Sequence, residues 1–353
     1  MSKILTIVIP SYNAEKTINS TLLSLDYQCG KYFNVLIIDD GSAQPIQPYI
    51  QPWIERYPSI IKCIRVKNNN WGGCVNYAIK HVSTKFLKIL DSDDTFFVDH
   101  MNSYLQHLQS LAKTKVDTVI TSFSIKNLKT GSLMKRRYNL KKKIVYTSFD
   151  NLRFNKILSM HAFTWSLSLL KKIQPLPIKI PYTDNLLVFR TILFSKNVVL
   201  LPNHIFVYNY NFGDVNQSMS WEKTVKNLPK LKHIYHAMFQ SPISNLGYKR
   251  TKLLIASIKQ MFYLIILIIS LDNDIYDWQR KQQFNQELNF IEPYIKDKNI
   301  TKKIKSGYLR IINRRSIPLV IRINKFVLLT SQVGFLKMFK MQYKENKYEK
   351  IRA

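Results

Sequence analysis

The sequence predicts an α/β fold: a mostly parallel, Rossmann-like sheet flanked by helices, followed by a mainly helical C-terminal domain. Three observations predict it. Strand-like apolar runs alternate with helix-period segments through the first hundred residues. The runs are near-continuously apolar, the pattern of strands buried on both faces. Three of the four runs end in acidic or aromatic residues, at the sheet edge where open α/β folds bind ligands.

The elements follow in order. Leu5-Thr6-Ile7-Val8-Ile9-Pro10 is a strand by its β-branched residues, ended by proline. Ser11-Tyr12-Asn13 is a loop, and from residue 14 to 25 the positions Ala14, Ile18, Leu22 and Leu25 share one helical face. A second strand over residues 34–38 ends at Asp39-Asp40-Gly41-Ser42. A third, over residues 60–66, precedes the turn-prone Asn68-Asn69-Asn70. Residues 75–82 read as a helix, with Asn70-Trp71-Gly72-Gly73 as a glycine-containing loop before it. Residues 86–90 form the fourth strand, ending at Asp91-Ser92-Asp93-Asp94.

That last tetrapeptide carries the chemistry. Carboxylates converging at a strand end repel one another unless a cation joins them, and with a hard divalent ion they become a clamp for a diphosphate. Ile9-Pro10-Ser11-Tyr12-Asn13-Ala14-Glu15, Ile38-Asp39-Asp40-Gly41-Ser42 and Leu90-Asp91-Ser92-Asp93-Asp94 resemble, in order and spacing, the nucleotide-sugar-binding half of a family 2 glycosyltransferase with the GT-A fold. The resemblance covers about residues 4–100 and becomes patchier to about residue 220.

The resemblance implies a donor site built from Pro10, Tyr12, Asn13, Glu15, Asp39, Asp40, Asn70, Gly72, Asn76, Asp91, Ser92 and Asp93. Tyr12 would stack on the base and Asp40 accept a hydrogen bond from its imide, which favours uracil. Asp91 would lie near the ribose, and Asp93 or Asp94 would ligate Mn²⁺ or Mg²⁺ bridging the phosphates. The backbone amides of the 70–73 loop could meet the donor. The family often carries an arginine where this chain has Val75, so that phosphate contact is missing here.

An inverting transfer needs a base to take the acceptor's proton. The segment Pro181-Tyr182-Thr183-Asp184-Asn185 resembles the family's acidic-pair segment, with Thr183 in place of the usual first acid, so Asp184 carries the role alone. His161, in Met160-His161-Ala162-Phe163-Thr164-Trp165, and Arg190 are candidates for acceptor or phosphate contacts. So are Gln217 and Ser218, in a segment that resembles the family's flexible loop over the diphosphate.

Composition sets the remaining expectations. The chain of 353 residues is long enough for two domains, read as 1–220 (donor side 1–100, acceptor side 101–220) and 221–353. Cys29, Cys63 and Cys74 fall on no metal-ligand spacing and form no even disulfide set, which fits a reducing compartment. No signal peptide is visible, because Met1-Ser2-Lys3 runs directly into the first strand. The formal net charge is +31, and residues 301–353 hold fourteen Lys or Arg against only Glu345 and Glu349, interspersed with apolar residues. That pattern suits an anionic membrane surface, and the expected location is cytoplasmic, peripheral at the inner face of the cell membrane. An anionic polymer would explain the charge equally. Residues 253–271 reach the roughly 20 residues of a bilayer span only by including Lys259, and read as a buried helix.

The implied activity is transfer of a sugar from a nucleotide diphosphate donor, UDP-linked, to a lipid-linked or polymeric cell-surface glycan. Two alternatives stand beside it: a catalytically inactive relative acting as an assembly partner, and a nucleic-acid-binding protein. The second leaves the acidic strand ends unexplained, so no nucleic-acid partner is expected. The amphipathic C-terminal region could also pair two copies of the chain.

Overall fold

The computed structural model describes residues 3–271 except 140–142, 153–157, 211–220 and 244–245, together with residues 279, 282, 283, 286, 287 and 290. The segment holding Gln217 and Ser218, and the basic stretch from residue 301 onward, lie outside the described residues.

Four parallel strands form one side of a ten-stranded sheet: β1 (Leu5–Ser11), β2 (Phe33–Asp39), β3 (Ile61–Arg65) and β4 (Phe86–Ile89), in the order β3-β2-β1-β4. β1 and β4 are buried along their whole length, which is why both read as near-continuous apolar runs. Register pairs Ser11 with Asp39 and Asp39 with Arg65, so the carboxyl ends of the strands align at one edge.

Beyond β4 the order is β9-β6-β10-β5 and the sheet becomes mixed. β9 (Phe163–Ser166) runs antiparallel to both β4 and β6 (Thr118–Asn127). β10 (Val198–Tyr210) is parallel to β6 and antiparallel to the two-residue β5 (Thr95–Phe96). β7 (Leu133–Arg136) extends from β6 as a hairpin, and β8 (Val145–Thr147) pairs with β10.

The helices that accompany the sheet are α1 (Ile18–Leu23), α2 (Gln47–Arg56), α3 (Asn70–His81), α4 (Val98–Ser110), α5 (Leu167–Leu170) and α6 (Thr183–Phe194). Two depart from the sequence expectation. α1 is shorter than the 14–25 segment, with turns preceding it. α3 begins at Asn70 rather than at residue 75, so Gly72 and Gly73 lie in its first turn and not in a loop. Glycine costs a helix about 1 kcal/mol relative to alanine, so an adjacent pair reads as loop. Packing explains Gly72: a Cβ there would lie 2.7 Å from the Pro177 carbonyl oxygen and 3.0 Å from Thr183 Oγ1. Gly72→Ala is therefore expected to destabilise by about 1–3 kcal/mol despite alanine's helix preference. Urea unfolding measures this, and an unchanged midpoint would contradict the close packing.

The chain divides into two compact units, residues 1–210 with 247–253, and residues 211–246 with 254–353. In the second unit the described residues include α7 (Trp221–Lys226), α8 (Leu228–Phe239) and most of α9 (Tyr248–Leu271). α8 buries Leu231, Ile234, Tyr235 and Met238, and buried Glu287 accepts from Lys232 Nζ at 3.0 Å. α9 starts before the apolar stretch at 253–271; among the described residues no helix is long and apolar enough to cross a membrane.

Candidate active site

The loop after β4 is held from two sides. Thr21 Oγ1 lies 2.9 Å from the Ser92 carbonyl oxygen and 2.8 Å from that of Asp94. From β10, the Asn209 backbone amide donates to Asp94 Oδ1 at 2.7 Å, and its side-chain amide donates to the Asp93 carbonyl at 2.9 Å. Trp71 Nε1, from α3, donates to Asp91 Oδ1 at 2.9 Å. These bonds fix the loop but leave Asp94 Oδ2 buried without a hydrogen-bond partner, 3.7 Å from His161 Nε2.

His161 precedes β9, and its ring packs against Phe123, Phe206 and Tyr208 at centroid distances of 5.3, 4.8 and 4.7 Å. Its Nδ1 is 2.6 Å from Ser159 Oγ, leaving Nε2 toward the carboxylates. Beneath it, Lys88 Nζ is fully buried and donates to the carbonyls of His161 and Phe163, both at 3.0 Å. Burial drives this lysine's pKa down to about 7. Burial, with repulsion from Lys88, lowers His161 to about 3, so the imidazole is neutral at physiological pH.

The acids shift the other way. Burial pushes Asp91 up to about 7, with Asp93 and Asp184 adding repulsion against the Trp71 hydrogen bond. Asp94 is raised well above the usual carboxylate range by burial and by Asp93 and Asp91. Asp184 rises to about 6 through burial, which outweighs the hydrogen bonds it accepts at the start of α6. Tyr182 sets that helix start in a left-handed conformation, φ 65°, at a cost of order 1 kcal/mol for a non-glycine residue. The Tyr208 phenol is held protonated by burial and by all four carboxylates.

Asp91, Asp94 and His161 offer ligand atoms that all lie within 4.8 Å of one another. A neutral imidazole nitrogen facing an unbonded carboxylate oxygen, among acids that resist ionisation, is a donor set that a divalent cation would satisfy. The structure thus groups Asp94 with Asp91 and His161, whereas Asp93, expected from the sequence as an alternative metal ligand, is exposed and stands outside the group.

The remaining sequence candidates fall into two sets. Tyr12, 56% exposed, projects at the end of β1, and Glu15 is half-buried nearby in sequence. Others are tied into the fold. Asp39 accepts from the backbone of Ser42 and Ile46 and faces Arg65, and Asp40 accepts from the Asn69 amide at 2.9 Å. Asn13, at φ 50°, bonds Ser42 and Ala43, and Pro10 is buried in β1. Asn76 has both ends of its amide on the backbone of Leu176, and Arg190 holds the carbonyls of Gln174 and Pro175. Asn70 opens α3 in a left-handed conformation, φ 60°. The sequence assigns no role to the side chains of Thr21, Trp71, Lys88, Tyr208 and Asn209, although Trp71 lies in the 70–73 segment expected to meet the donor and Tyr208 and Asn209 lie in a segment that resembles the family's closing strand.

With this geometry in view, comparison identifies the domain. Residues 6–172 match the model of glycosyl transferase family 2. The chain carries a family 2 glycosyltransferase domain. Among curated proteins it is similar to the succinoglycan biosynthesis protein ExoW of Rhizobium meliloti, 35% identical over 117 residues, 32% of this chain and 35% of that one. It is also similar to a teichoic acid poly(glycerol phosphate) polymerase of Staphylococcus epidermidis, 31% identical over 107 residues, 28% of this chain and 15% of that one. These matches span no more than about a third of either relative. Among solved structures, S. aureus TarS 1–349 in complex with UDP-GlcNAc superposes with a TM-score of 0.67 at 17% identity, covering 91% of this chain and 90% of that one. The fold is therefore GT-A, a mixed α/β architecture with the mostly parallel sheet described above.

Proposed function

We propose that the protein is an inverting, cation-dependent glycosyltransferase that takes a sugar from a uridine diphosphate donor. The observation that carries this reading is the buried, unbonded Asp94 Oδ2 beside Asp91 and His161, with Asp184 close enough to raise the Asp91 carboxyl. Asp91, Asp94 and His161 would hold the cation, and a nitrogen in the set inclines it toward Mn²⁺ over Mg²⁺. When bound, the cation supplies Lewis-acid stabilisation of charge on the departing diphosphate. Asp184, at the head of α6, accepts the proton of the acceptor hydroxyl. Its raised pKa places it near the range where a base is both unprotonated and effective. Asn209 and Trp71 keep the acidic loop in one geometry, and Tyr12 offers its exposed ring to the uracil base.

The acceptor we assign is a lipid-linked or polymeric cell-surface glycan, supported by the relatives named for succinoglycan and teichoic acid work. The basic stretch beyond residue 301 would place the enzyme at the inner, anionic face of the cell membrane. A thermal-shift panel of nucleotide sugars with and without Mn²⁺ tests the donor. A donor at about 100 times its dissociation constant adds roughly 2.7 kcal/mol to the folded state. UDP-sugars are expected to raise the melting temperature only with Mn²⁺, and a panel without any such shift contradicts the reading. Tyr12→Ala is expected to weaken uridine diphosphate by roughly tenfold, the loss of one stacked base. Binding of inorganic pyrophosphate with Mn²⁺ should be unchanged. Equal losses for both ligands would place Tyr12 elsewhere than on the base.

A further inference from the structure

The hairpin of β6 and β7 takes no part in the chemistry above. Its turn is firmly built: Asn127 Oδ1 accepts from the amides of Lys129 and Thr130, Gly131 adopts φ 68°, and the Gly131 amide returns to the Asn127 carbonyl at 2.8 Å. On this rigid tip Leu128, Leu133 and Met134 are 51%, 42% and 42% exposed, in a chain that buries most of its large apolar residues. Around them stand Lys126, Lys129, Lys135, Arg136 and Arg137, and no Asp or Glu occurs from residue 118 to residue 149. Lys126, Lys135, Arg136 and Arg137 form no ion pair among the described residues.

Register places this surface beside the site. Lys126 pairs with Asn209, the residue that bonds Asp94, and Leu133 pairs with Lys126. A solvated basic loop would carry lysines without three exposed aliphatic side chains. A soluble polyanion would use the charge and leave Leu128, Leu133 and Met134 in water. An anionic bilayer surface uses both: headgroups for the basic ring, and the acyl boundary for the apolar tip.

We infer that the β6–β7 hairpin is a membrane-docking element, whose tip enters the headgroup layer of an anionic bilayer while its basic flanks pair with lipid phosphates. This is separate from the C-terminal basic stretch and sets the mouth of the acidic site against the membrane. It does not depend on which sugar is transferred, and the test reads the hairpin itself.

An environment-sensitive fluorophore is attached at Met134→Cys in the full-length chain carrying Cys63→Ser, since Cys29 and Cys74 are buried. A label at Leu23→Cys, on α1 and 65% exposed, is the control. With phosphatidylglycerol vesicles the label at 134 is expected to shift to the blue and brighten, and the label at 23 to stay unchanged. Phosphatidylcholine vesicles should move neither. Each basic residue near an anionic surface strengthens binding by roughly fivefold, so Lys126→Glu/Lys135→Glu/Arg137→Glu should weaken the vesicle-induced shift by at least about tenfold in lipid concentration. A label at 134 that stays in water, whether or not the protein sediments with vesicles, overturns the inference. So does an equal shift at both labels, or a shift with soluble polyphosphate and none with vesicles.

Discussion

Asp94→Asn is expected to lower the proposed manganese-dependent affinity for a UDP-sugar by at least about 100-fold, more than the 10- to 100-fold that follows loss of a residue merely supporting a ligand. The side chain is nearly isosteric, and its Oδ1 still accepts from the Asn209 amide, so the loop keeps its shape. What disappears is the negative charge on Oδ2, the buried oxygen of Asp94 that has no hydrogen-bond partner. Without a cation, the same change has the opposite effect on stability. A carboxyl raised in the folded state holds its proton to higher pH than in the unfolded chain. The native protein therefore binds more protons above the ordinary pKa of 3.8, and stability falls as pH rises through that window, toward about 7 for the neighbouring Asp91. A neutral asparagine at 94 removes part of this loss, so at pH 8 the cation-free variant is expected to melt higher than the parent. Calorimetric titration and melting curves with a chelator measure the two effects. A variant with parental manganese-dependent affinity would remove Asp94 from the cation site.

Asp184→Asn is expected to leave donor affinity within about twofold while cutting kcat by about 10²–10⁴, the range for a lost general base. In the parent, activity should rise with pH through about 6, as the carboxyl ionises, and level off above it. A cation bound beside Asp91 favours the ionised form and moves the step to lower pH. In the variant the step disappears. The split between binding and turnover decides the role: if donor affinity falls along with kcat, Asp184 binds rather than takes the proton.

Much of this was legible in the sequence because strand ends are written locally. Near-continuous apolar runs closed by Asp39-Asp40 and by Asp91-Ser92-Asp93-Asp94 specify both a buried parallel strand and the edge where it emerges. The partners of that edge were not legible. His161 joins Asp94 across 67 positions of chain through β9, inserted antiparallel against β4, and no periodicity announces that pairing. Asn209 reaches the same loop from the last strand, 115 residues away from Asp94 in sequence. α3 was read too short because its paired glycines answer a packing demand from Pro177 and Thr183 rather than a helix preference. α2 carried no expectation at all, since Pro52 stands inside it.

The central claim is that a divalent cation, held by Asp91, Asp94 and His161, grips the donor's diphosphate. Calorimetric titration of UDP into the full-length protein, once with Mn²⁺ and once with a chelator, tests it most directly. The account requires affinity at least about 100-fold higher with Mn²⁺, and loss of that difference in Asp94→Asn. Equal affinity in both titrations would contradict it.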